Sequence, residues 1–96
     1  MGMIGEQPDG GLRVVAERPR TLGPPWRYEG EAAVPSARFR LVATLEADGS
    51  VDVDVDAQAP AGLADKVRLM VRTAWRRARE DGLSPPYRIA RWRGDP

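Results

Sequence analysis

Phe39-Arg-Leu-Val-Ala-Thr-Leu-Glu-Ala-Asp-Gly-Ser-Val-Asp-Val-Asp-Val-Asp56 is the stretch whose reading decides the fold. Phe39, Leu41, Ala43 and Leu45 alternate with Arg38, Arg40, Thr44 and Glu46, and Val42 is the one apolar exception. Val51, Val53 and Val55 alternate with Asp52, Asp54 and Asp56. Successive strand side chains point to opposite faces, so alternation of this kind marks strands with one buried face. The turn then sets the register. A two-residue loop at Asp48-Gly49 would pair Leu45 with Asp52, a core residue beside a solvent one. A three-residue loop, Ala47-Asp48-Gly49, aligns Leu45 with Val51, Ala43 with Val53 and Leu41 with Val55. That loop is a type I turn followed by a left-handed residue, and Gly49 adopts positive φ without steric cost.

Upstream, Trp26, Tyr28, Ala32 and Val34 alternate with Arg27, Glu29 and Glu31. Taking Val34-Pro-Ser-Ala37 as a four-residue loop pairs Ala33 with Arg38 and sets Ala32, Tyr28 and Trp26 opposite Phe39, Ala43 and Leu45. On the solvent face Glu31 then meets Arg40, which Asp56 flanks from the other side, so a charge triad across three strands is expected. Gly30 falls opposite Leu41, where a bulge or a close backbone approach is expected. Further upstream, Leu12–Arg18 reads as a short strand whose inward face is ambiguous, ended by Pro19. Thr21-Leu-Gly-Pro-Pro25 is a loop, because its prolines exclude regular structure.

Downstream, Leu63, Val67, Met70, Val71, Ala74 and Ala78 follow the spacing of one buried helical stripe. Pro60 is expected in the helix's first turn, and Gly82 with Ser84-Pro-Pro86 stops it. Tyr87–Arg93 is a last strand. The fold class is therefore α+β in the order β-β-β-β-α-β, an antiparallel meander with one long helix on its apolar face. The last strand either pairs antiparallel beside the first or crosses over, right-handed and parallel, beside the fourth. Residues 1–11 are expected to form a flexible leader and 12–94 a single domain.

Composition narrows the function. Among 96 residues there is no Cys, His or Asn. Disulfides, thiolate nucleophiles and thiolate metal sites are thereby excluded, together with the commonest general base and transition-metal ligand. Ser36, Ser50 and Ser84 lie in turns or before prolines, and Asp9-Gly-Gly11 lacks the spacing of a phosphate loop. The expectation is that the chain is not an enzyme and has no catalytic, cofactor-binding or metal residues. No apolar run is long enough to span a membrane, and no signal pattern opens the sequence. A cytoplasmic location is expected. Lys66 is the sole lysine beside fourteen arginines, a bias that a GC-rich, bacterial-type genome produces.

Charge is divided unevenly. Residues 1–62 hold six Arg against ten Asp and Glu, whereas 63–96 hold eight Arg and Lys66 against four acids, and the whole chain nets +1. Such asymmetry points to partners or to attraction between the halves. At about 100° per residue, Arg68, Arg72, Arg76 and Arg79 share one helix flank, with Trp75 at its border within reach of Arg72 and Arg79. Arg91, Trp92 and Arg93 follow on the last strand. Arginine interleaved with aromatics suits phosphate neutralisation and base stacking. Leu69, with Thr73 one turn later, lies on the polar side of the helix and marks a candidate self-association contact. Asp52, Asp54 and Asp56 lack the kinked loop of a calcium site and read as a solubilising row. Two roles stay open: a non-enzymatic domain that binds a protein partner or itself, and a nucleic-acid binder using the Arg-rich flank and the last strand.

Overall fold

A computed structural model describes residues 11–21 and 23–93. The elements are β1 Leu12–Glu17, β2 Trp26–Val34, β3 Ala37–Leu45, β4 Val51–Val55, α1 Leu63–Glu80 and β5 Arg88–Arg93. They form a five-stranded sheet in the order β4-β3-β2-β1-β5, antiparallel throughout, with α1 packed on one face. This is the expected α+β meander with one helix. β5 takes the first of its two possible places, beside β1. The leader expected over 1–11 lies, Gly11 apart, outside the described residues, as does Gly94 at the end of the expected domain.

The β3–β4 register is the one that turn parity requires: Leu45 faces Val51, Ala43 faces Val53 and Leu41 faces Val55. Gly49 sits at φ 90°, its N–H donates to Glu46 O at 3.0 Å, and the Glu46 N–H donates to Ser50 O at 2.9 Å. Ser50 donates through its hydroxyl (2.6 Å) and its N–H (2.9 Å) to Asp48 Oδ1. These two bonds, the hydroxyl's first, hold the Asp48 carboxyl below its usual range. The β2–β3 register is also as expected, but pairing continues to Val34 opposite Ala37 and leaves only Pro35-Ser36 as the connection. At Gly30 the close approach comes from β1: a Cβ there would run into Val15 O and the Ala16 Cα.

Leu12, Val14 and Ala16 face the helix, which settles the inward face of β1. They join Tyr28, Leu41, Leu45 and Ile89 from the sheet and Leu63, Val67, Met70, Val71 and Ala74 from the helix in one core. Truncating a leucine in such a core to alanine costs about 2–5 kcal/mol. Ala78, the last member of the stripe, is only half-buried. The helix starts later than its proline suggests. Gly62, in the left-handed region, holds the capping position, and Pro60 lies in the preceding turn with its C=O taking the Leu63 N–H at 3.2 Å. At the other end Gly82 has φ 71°, and the Gly82 and Leu83 N–H groups donate to Arg79 O (3.1 Å) and Ala78 O (2.8 Å). This paired closure satisfies carbonyls that a helix end leaves without partners.

Candidate binding surfaces at the helix flank and the sheet edges

Arg68, Arg72, Trp75, Arg76 and Arg79 do share one flank of α1, and that flank overhangs β4 and its turn. Several members are committed to the fold. Arg68 pairs with Asp65 at 2.5 Å, and its Nε donates to Val51 O at 3.2 Å. Trp75 lies on the β3–β4 turn so closely that a Cβ on Gly49 would sit 2.6 Å from the indole. Arg79 covers the indole with its guanidinium 5.2 Å from the ring, the stacking that helical spacing allowed. Arg72 lends positive charge to Asp48 across the same turn. Arg76 is exposed.

The rest of the expected surface lies elsewhere. Trp92 pairs with Arg13, Ala90 with Val15 and Arg88 with Glu17, on the sheet face away from α1, while Arg91 alternates to the helix side with Ile89. Arg91 and Trp92 thus belong to the opposite edge of the sheet from the helix flank, and on opposite faces of it. Arg93 pairs with Leu12 at the end of β5, and its side chain lies outside the described residues. Sequence proximity had grouped residues that strand alternation separates. Leu69 is 54% exposed, but its neighbours one turn away are Asp65, Lys66, Arg72 and the half-buried Thr73. A lone apolar side chain among charges is no patch.

The hydrogen-bond ladder shows what each edge presents. Opposite residues of an antiparallel pair alternately exchange both backbone bonds or turn them outward. The Arg18 N–H donates to Tyr87 O at 2.9 Å, so Ile89 and Arg91 bond β1, while Arg88, Ala90 and Trp92 turn N–H and C=O to the open edge. On β4, the bonds of Ser50 to Glu46 and of Asp56 to Arg40 turn Asp52 and Asp54 toward β3, and Val51, Val53 and Val55 outward. The two edges are finished differently. At β4, α1 supplies Arg68 to the Val51 carbonyl, and Asp52 and Asp54 stand exposed along the strand. At β5, among the described residues, the Ala90 carbonyl takes only an exposed bond from Arg91 in the same strand, at 3.0 Å. Trp92 beside it is 56% exposed.

The helix-free face as a whole is mixed in charge, although residues 1–62 carry ten acids against six arginines. Arg27 meets Glu29 at 3.1 Å, Arg38 meets Glu31 at 3.9 Å and Arg88 meets Glu17 at 3.4 Å. The arginines of the meander alternate onto the same face as its acids, so the two signs neutralise locally. A shallow depression of about 500 Å³ lies on this face, floored by Val15, Gly30 and Ala33 and rimmed by Arg13, Glu17, Glu29, Glu31 and Arg38. The expected Glu31–Arg40–Asp56 triad has its register but not its ion pairs. Glu31 reaches the diagonal Arg38 instead, and Asp56 Oδ1 accepts the Gln58 N–H at 2.9 Å, closing a turn.

One cluster went unread in the sequence. Arg18 is 6% exposed and has no carboxylate among the described residues. Its guanidinium donates to Pro85 O at 2.5 Å and Pro19 O at 3.0 Å, and it lies 4.5 Å from the Tyr87 ring. Arg20 stacks on the same ring at 4.6 Å. Tyr28 donates its hydroxyl to Pro86 O at 2.5 Å. Burial raises the Tyr28 hydroxyl above its ordinary pKa, and the neighbouring Arg18 cation only partly offsets this. Carbonyl dipoles and π faces replace a counter-ion here, tying the loop before β5 to the end of β1. The available signal was parity: Arg18 continues the inward row of Leu12, Val14 and Ala16.

Among the described residues no group of acids gathers to hold a metal ion, and no helix is long and apolar enough to cross a membrane. No known protein family, curated protein or solved structure matches the chain.

Proposed function

We propose that this chain is a non-enzymatic protein-interaction domain, working in the cytoplasm, that binds by extending its sheet at β5. The observation that carries the reading is the contrast between the edges. Both edges turn backbone groups outward, but β4 has its Val51 carbonyl taken by Arg68 and is lined by acids, whereas β5 stands beside an exposed Trp92. Open edges are hazards that folds ordinarily blunt, and strand addition to such an edge is a recurring mode of peptide recognition. A large aromatic beside it supplies the apolar anchor that such interfaces favour.

A display library of random linear peptides tests this reading. Selection on the chain yields extended binders, and Ala90→Pro weakens them by about tenfold or more, equivalent to about 1.4 kcal/mol. The substitution removes a donor that points outward, at an edge where proline is tolerated. Failure to select binders, or binders indifferent to Ala90→Pro, contradicts the proposal.

Nucleic-acid binding is the second reading. It is supported by the placement of Arg72, Trp75, Arg76 and Arg79 on one flank, and weakened by the structural use of Arg68 and Trp75 and by the acids of β4 nearby. Its signature is oligonucleotide binding that falls steeply with salt and drops in an Arg72/Arg76/Arg79→Ala variant.

A further inference from the structure

Resting on the β5 reading, we infer the chemistry of the partner: an extended peptide with acidic side chains on both faces of its strand, adding antiparallel to β5. β5 runs Arg88-Ile-Ala-Arg-Trp-Arg93, with no acid in it. Glu17, opposite Arg88 in β1, meets it through Nε alone at 3.4 Å, and both side chains are exposed. Outward backbone groups recur at every second residue, and only another extended chain presents acceptors and donors in the matching row. A helix bonds its own backbone and has none to offer.

Side-chain positions then set a pattern. A partner residue opposite Ala90 exchanges both ladder bonds with it. Its neighbour opposite Arg91 lies on the helix side of the sheet, and an acid there faces the guanidinium that otherwise bonds Ala90 O. Two positions away on the other face stand Arg88 and, in the opposite direction, Trp92. The favoured partner therefore carries, in consecutive positions, an apolar residue against Trp92, an acid against Arg91, any residue against Ala90, any residue against Ile89 and an acid against Arg88. Opposite charges placed directly across strands stabilise and like charges destabilise. That rule disfavours a second copy's β5, which would bring the Arg91 guanidinium of each strand near the other's.

Fluorescence anisotropy with three labelled twelve-residue peptides tests the inference. One carries the apolar–acid–Thr–Thr–acid pattern, one has Lys for each acid, and one has Gln. The acidic peptide binds at low salt at least about tenfold tighter than the Lys peptide, a difference of about 1.4 kcal/mol. Arg91→Glu abolishes or inverts that preference, and Ala90→Pro weakens binding of the acidic peptide. If the three peptides bind alike and Ala90→Pro weakens all of them, the edge is used but the acidic class is overturned. If the acidic peptide binds and Ala90→Pro leaves it unchanged in a folded variant, both the edge and the partner class are wrong. No binding of the acidic peptide overturns the inference outright. Melting curves establish that each variant is folded, and Arg91→Glu keeps the test decisive should Ala90→Pro fail to fold.

Discussion

The two outer strands of one sheet are finished in different ways. β4 is short, alternates Val with Asp, and is clamped by the helix: Arg68 on the Val51 carbonyl and Trp75 on the Gly49 turn. β5 is held to the fold from its inner side, by Ile89 in the core and by the Arg18 cluster where it begins, while its outer side carries Trp92 and open backbone groups. At the first edge the helix takes the Val51 carbonyl, and Asp52 and Asp54 flank the outward groups of Val53. At the second, no packing contact accounts for the exposed Trp92, and that residue is why the proposed binding role is placed at β5.

If β4 is clamped through its turn, loss of the clamp carries the largest cost. Gly49→Val forces a β-branched residue into φ 90° and against the indole. We expect a loss of about 3 kcal/mol from left-handed strain and overpacking together, read by urea denaturation. Next comes the inner anchor of β5. Arg18→Met leaves the Pro85 carbonyl without its donor, at a cost of about 2 kcal/mol in the same assay. Tyr28→Phe removes one bond to Pro86 and costs about 1 kcal/mol. This difference depends on pH. Because burial raises the folded-state pKa of Tyr28, its contribution is whole below the unfolded value of about 10 and is lost as pH rises through the folded value. Wild type and Tyr28→Phe therefore converge in alkaline denaturation curves. Trp92→Ser stands last. With its side chain largely in solvent, it changes stability by no more than about 0.5 kcal/mol. A loss of several kcal/mol there would make Trp92 a packing residue and remove the contrast between the edges.

These differences track what the sequence displayed. The β2–β3–β4 register followed from alternation and turn parity, because each of those strands has several apolar anchors and a one-residue slip would turn all of them to solvent. The helix was equally plain, since its stripe runs for several turns. β5 was not. Ile89 is its one deeply buried anchor among the described side chains, so alternation could not say that Trp92 faces away from the helix or that Arg91 faces toward it. The expected surface joined both to the helix flank for want of that one parity. Arg18 was missed because an arginine before a proline reads as the end of a strand, although its parity placed it inside. The helix-flank residues were found together where expected, but their duties toward Val51 and Gly49 depend on long-range contacts that local spacing does not encode.

The proposed working edge is β5. A titration of the 15N-labelled chain with the acidic twelve-residue peptide, followed by amide chemical shifts and hydrogen exchange, addresses it directly. The Arg88, Ala90 and Trp92 amides are expected to shift and become protected, while the outward amides of Val53 and Val55 on β4 stay as they were. Protection at β4, or shifts confined to Arg72, Arg76 and Arg79 on the helix flank with β5 unchanged, would contradict it.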